Sequence, residues 1–229
     1  MWLLCSSIGK KLIMSISGVF LILFLLFHMS MNLVAVFSPE AYNMICELLG
    51  ANWYALLATA VLAGGFLVHI VYAFILTLQN QKARGSQSYA VSERPKGVDF
   101  ASQNMFVLGA IVALGLIMHL AHFWYKMQFA EIIGLEEVAL GGAMVSVHDG
   151  AAFIAYWFSN PIICILYLIW FAALWFHLTH GFWSALQTIG WNNQIWFERW
   201  KCISNLFATV IFLGFAFVVV AFYLKSIFC

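Results

Sequence analysis

Five stretches of this chain contain no Asp, Glu, Lys or Arg, and each is closed at both ends by charge: residues 12–39, 48–81, 100–125, 150–197 and 202–224. About 20 helical residues at 1.5 Å rise cross a hydrocarbon core of about 30 Å, so each run is long enough to span a bilayer. Inside hydrocarbon the backbone must satisfy its own hydrogen bonds, which leaves helices or closed barrels. Barrel strands alternate apolar and polar residues in units of about ten, whereas these runs are continuously apolar. The pattern therefore predicts helices near 12–36, 53–78, 103–125, 161–186 and 203–224. Only 8% of the 229 residues are charged and 65% are apolar. A soluble domain carries about a quarter charged residues. The expected fold class is an all-α integral membrane protein, one domain over 1–229 with five transmembrane helices.

The first apolar run is too long for a signal-peptide core and lacks a small-residue cleavage pattern, so it reads as a span. The five cysteines form no C-x-x-C pair and no C-x-x-C-H for covalent haem attachment. A net charge of +1 gives no case for nucleic acid as a partner. With alternating helices, one side of the membrane receives Lys10, Lys11, Lys82, Arg84, Arg94, Lys96, Arg199 and Lys201, and the other only Lys126 and Lys225. The positive-inside rule then puts the N-terminus in the cytoplasm of a bacterial inner-membrane protein. The hydrophilic connection at 79–99, with Pro95 stopping any helix, reads as a loop and a docking surface for a cytoplasmic partner. The apolar segment after Glu137, in the outer connection, reads as a short interfacial helix.

Six of the seven histidines fall inside the expected spans: His28, His69, His119, His122, His177 and His180. An ionisable side chain there is costly, which makes function the default reading, although a lone one is as often a hydrogen-bonded packing residue. Depth adds information. His69 and His177 each lie about nine residues, roughly 14 Å, from the cytoplasmic ends of their helices. His28, His119 and His122 lie about 16 to 19 residues from theirs, nearer the outer face. Two pairs at two depths suit two stacked haem groups, each iron taking one imidazole from either side of its porphyrin. Ser15, Ser17, Gly18, Gly64, Gly65 and Gly181 leave room near these histidines, though small residues in membrane helices more often serve packing. No Asp or Glu lies in any span, which disfavours a bare zinc or copper site and an ion transporter. Bis-histidine iron has no open position and transfers single electrons.

Four segments in order, SISGVFLILFLLFHMSMNL around His28, VHIVYAF around His69, HFW from His122 and FHLTHGFWSALQ around His177, resemble the cytochrome b membrane subunit of the succinate dehydrogenase and fumarate reductase family, five-helix di-haem type. The resemblance covers essentially the whole chain. It implies two haem b groups, the inner held by His69 and His177 and the outer by His28 and His122. The choice of His122 follows the family's register, where an aromatic, here Trp124, stands two residues after the ligand. His119 and His180 are left as contacts to haem propionates or quinone, or as structural residues. The resemblance further implies a flavoprotein and an iron–sulfur partner that hold the dicarboxylate site. This chain would be the quinone-reactive subunit of that oxidoreductase, passing electrons to or from a membrane quinone, usually menaquinone. Quinone chemistry moves protons, for which Glu47, His148 and Asp149 are available and Glu40 less so. Where some family members carry a glutamate two residues before the fourth-helix ligand, this chain has Trp175. Competing readings are a di-haem quinol cytochrome of another respiratory complex and a haem-free membrane anchor.

Overall fold

The computed structural model describes residues 6–84 and 99–228. Five helices are long and apolar enough to cross a membrane. They are α1 (Ser7–Phe37), α3 (Trp53–Arg84), α4 (Phe100–His119, continued by a π turn over Leu120–Trp124), α7 (Pro161–Ile189) and α8 (Trp196–Phe228). The chain is thus an almost entirely helical multi-pass membrane protein. The helices overrun the expected bounds where polar residues extend them beyond the hydrocarbon-sized core, most at the start of α8. Most of the 79–99 connection, including Arg94, Pro95 and Lys96, lies outside the described residues.

Local chemistry sets the boundaries. Ser6 caps α1 by accepting from Gly9 N. Ser38 ends α1 and starts α2 (Pro39–Leu48), its hydroxyl accepting from Ala41 N with Pro39 in the first turn. Asn160 caps α7, again with proline following, and Gly190 closes it in the left-handed region at φ 96°.

The outer connection is more structured than a single interfacial helix. After the short α5 (Gln128–Ile132), strands β1 (Glu137–Leu140) and β2 (Ala143–Ser146) pair antiparallel. The apolar segment after Glu137 is therefore a hairpin. Gly141 and Gly142, at φ 62° and 92°, supply the two positive φ angles that a two-residue turn of this hand requires. Helix α6 (Gly150–Phe158) follows and inserts Phe153 and Ile154, both almost fully buried. With α2 and the hairpin it covers one end of the bundle, called here the capped end.

At the centre, α1, α7 and α8 pack mutually, and α7 against α8 most extensively. The other two spans lean on this trio, α3 chiefly along α1 and α4 along α7, and meet each other where the rings of Phe74 and Phe106 lie edge to face. None of the central window of α3 is buried, against 33% for α7 and α8. In lipid the hydrophobic effect does not drive helices together, so close fit and interhelical hydrogen bonds carry the association. The α4–α7 contact shows both. Trp170 on α7 donates its indole N–H to the carbonyl of Val112 at 2.9 Å. Its ring lies where a Cβ on Gly115 would collide with it. Gly115→Val should therefore destabilise the bundle by about 1–3 kcal/mol through overpacking, lowering the melting temperature of the detergent-solubilised protein, while Gly64→Val, with open space around its Cβ, should leave it near the parent value.

Candidate functional site

The six span histidines lie on four helices, and the structure sorts them by level. His69 on α3 and His177 on α7 face one another with ring centroids 6.3 Å apart. A Cβ on Gly18 of α1 would lie 3.4 Å from the His69 ring, and one on Gly109 of α4 would lie 3.5 Å from the His177 ring. The two glycines thus sit at the level of this pair, where larger side chains would press on the imidazoles. Ten residues further along each of the same helices, about 15 Å by helical rise, stand His28 and His119. Their ring centroids are 5.7 Å apart. Helices α1 and α4 therefore each offer glycine to the inner tier and histidine to the outer one.

The inner tier is held from behind. Ser17, buried on α1, has its hydroxyl 3.2 Å from His69 Nδ1 and 3.0 Å from the Met14 carbonyl, to which it donates. A hydrogen bond at Nδ1 fixes the ring and leaves Nε2 for another partner. His177 Nδ1 and His180 Nδ1 are shielded from solvent and have no partner among the described residues. His180 lies one turn beyond His177, edge-on to Trp183. Of the small residues noted above, Gly65 accommodates the ring of Phe20 and serves helix packing.

The outer tier is wrapped in aromatics. His28 stacks on Phe24 and approaches Phe215, and His119 is surrounded by Phe123, Trp170 and Tyr167. Asn32 lies one turn from His28, its amide donating to the His28 carbonyl at 2.8 Å and lying 3.4 Å from Nε2. Tyr42 on α2 donates to the other end of the same amide at 3.2 Å.

The resemblance implies His122 as the partner of His28, and the ring that approaches His28 in the structure is that of His119. The π turn is the physical reason. Tyr125 N bonds to Leu120 O, five residues back, so the turn holds one residue more than an α-helical turn and swings His122 around the axis. His122 stacks instead on Trp157 of α6, with centroids 3.8 Å apart and planes 13° from parallel, and its Nδ1 lies 3.1 Å from the Tyr167 hydroxyl. The Trp157 indole donates to the His122 carbonyl at 2.9 Å.

At the capped end Glu47 is exposed, its backbone carbonyl accepting from Gly50 N and the Asn52 amide. The carboxylate built into the structure is Glu131, which nothing in its local sequence marks out. It accepts from Ala51 N at 2.7 Å and faces His148 Nε2 at 3.9 Å. Next to it Gln128 accepts from Thr59 and Trp124 and donates to the carbonyls of Leu49 and Gly50. Asp149 caps α6 and accepts from Asn43 at 2.8 Å. Among the described residues no three His, Cys, Asp or Glu converge as a bare metal ion would need.

Two outcomes follow for the capped end. Removing the acceptor in Glu131→Ala strands the Ala51 N–H and should cost about 1–3 kcal/mol, read as a lower melting temperature, whereas Glu47→Ala should stay within about 0.5 kcal/mol of the parent. Burial pushes the Cys46 thiol on α2 up to about 11. Since the thiolate is the nucleophile, Cys46 should alkylate slowly with iodoacetamide at pH 8 and accelerate only as the pH approaches 11. Compared with known protein families, curated proteins and solved structures, the chain finds no match in any of the three.

Proposed function

We propose that this chain is a di-haem cytochrome b membrane subunit of a succinate dehydrogenase or fumarate reductase type complex, passing electrons between an iron–sulfur partner and a membrane quinone. The observation that carries this reading is the pair of histidine tiers, each built from one residue on either side of the bundle. An iron held by two imidazoles at metal–nitrogen distances of about 2 Å separates their ring centroids by about 6 Å. The observed 6.3 and 5.7 Å fit that requirement.

In this reading His69 and His177 hold the inner haem, and His28 and His119 the outer one. His119 replaces His122 in the assignment because it is the ring opposite His28. The donor set is four imidazoles with no carboxylate in any of the five charge-free runs, which suits a porphyrin iron better than a bare dication. Ser17 orients His69, the unpartnered Nδ1 of His177 marks a ring poised by packing alone, and Gly18 and Gly109 leave the inner imidazoles free of side-chain pressure. Helix α3 packs chiefly along α1 and is the least buried of the five spans, so it is the helix with most freedom to make room for a flat apolar group beside His69. When bound, six-coordinate haem supplies one-electron transfer and no open position for substrate. The dicarboxylate chemistry belongs to a flavoprotein partner in this proposal, and the chain sits in a bacterial cytoplasmic membrane with its N-terminus inside, as the eight-to-two distribution of cations favours.

The test is a pyridine haemochrome assay and redox-titrated visible spectrum on the purified protein. Two low-spin b haems per chain are expected. Alanine at His28, His69, His119 or His177 should remove one haem or turn it high spin, and alanine at His180 should leave both low spin. A folded parent protein without a Soret band overturns the proposal and leaves a haem-free anchor.

A further inference from the structure

The span formed by α4 and its π turn ends at Trp124, so Tyr125 and Lys126 stand where hydrocarbon gives way to headgroups. A cleft of about 190 Å³ opens there between α5 and strand β1. Tyr125 stacks on Phe129 along one wall, their planes 15° from parallel, and Ile133, Leu135 and Val138 continue the apolar lining. Lys126 reaches the opposite wall and donates from Nζ to the Ala139 carbonyl at 3.0 Å. That contact occupies one of the three ammonium donors and compensates none of the charge. Among the described residues Lys126 forms no ion pair, although acids are close in the chain. Glu131 is turned to Ala51 N and His148. Glu136 and Glu137 are exposed between the lining residues Leu135 and Val138, and among the described residues neither has an ion pair. The cleft thus joins an apolar lining, an uncompensated ammonium and two uncompensated carboxylates at the membrane surface.

We propose that this cleft binds the headgroup of a zwitterionic phospholipid, phosphatidylethanolamine. Its phosphate meets the free donors of Lys126, and its ammonium turns to Glu136 and Glu137. The glycerol and one acyl chain lie along Tyr125, Ile133 and Leu135. Each part of the cleft selects against an alternative. Two neighbouring carboxylates repel a headgroup that carries only negative charge. A choline headgroup has no N–H to donate to them, whereas a primary ammonium has three. Free phosphate leaves the apolar lining in water, while a lipid covers it. The site needs only the membrane position of α4 and the fold of the outer connection, so it does not depend on haem content.

The experiment is native mass spectrometry of the full-length protein released from detergent, titrated separately with the palmitoyl-oleoyl forms of phosphatidylethanolamine, phosphatidylcholine and phosphatidylglycerol. The first lipid bound reports the site. The parent should hold phosphatidylethanolamine about tenfold more tightly than either other lipid, the equivalent of one charge-assisted hydrogen bond. Lys126→Gln should weaken its binding about tenfold, and Lys126→Arg should stay within about threefold of the parent. The double variant Glu136→Gln, Glu137→Gln should bind phosphatidylethanolamine and phosphatidylcholine alike. Equal binding of the three lipids by the parent, or a preference for phosphatidylglycerol, overturns the proposal. Parent-like binding by Lys126→Gln overturns it too. Should Lys126→Gln fail to fold, the exposed double variant decides: a retained preference for phosphatidylethanolamine overturns the proposal. Displacement of the lipid from the parent by millimolar inorganic phosphate also overturns it and leaves a simple anion site.

Discussion

Hydrocarbon offers no hydrogen bonds to a polypeptide, and every regular and irregular feature of this chain answers to that. Continuous helices satisfy the backbone in five spans. Where the ladder is disturbed, a side chain intervenes: the π turn at Leu120–Trp124 frees the His122 carbonyl, and the Trp157 indole takes it up. Ser17, Ser30 and Thr179 return their hydroxyls to carbonyls of their own helices. The capped end obeys the same demand by another route. Gln128 and Glu131 bind the backbone of the Leu49–Ala51 turn, and Asn43 and Asp149 join α2 to α6.

The same constraint explains the histidine arrangement. An imidazole in a span must find a partner or remain costly. His69 and His122 find hydroxyls, while among the described residues His177 Nδ1 has no partner and the His28 ring has a long contact to Asn32. The rings approach one another at two levels, and among the described residues the Nδ1 atoms of His177 and His180 are shielded and unpaired. The proposed haems give each pair of rings a partner without adding charge to the hydrocarbon. The π turn separates the two neighbouring histidines of α4: His119 stays in register with the α-helix below it, beside His28, and His122 stacks on Trp157.

Much of this was legible in the residues. Charge-free runs locate spans because a charge in hydrocarbon is expensive whatever the fold. Depth along a span follows from helical rise, so the separation of His69 and His177 from His28 and His119 could be read without coordinates. Gly141–Gly142 is a hairpin signal that a reading of hydropathy alone passed over. Glu131 carried no such signal: nothing local distinguishes it from Glu136 and Glu137 as the acid that will cap a turn 80 residues away.

Sequence by itself determined the five spans and the two histidine levels, because rise per residue and the cost of charge in lipid are properties of the chain and its solvent. Only the tertiary structure decided which histidine of α4 faces His28. His119 and His122 are three residues apart and lie near one face of an ideal helix, and a single extra residue in the turn, stabilised by an indole from α6, rotates one away from the other. Azimuth depends on such distant packing in a way that depth does not.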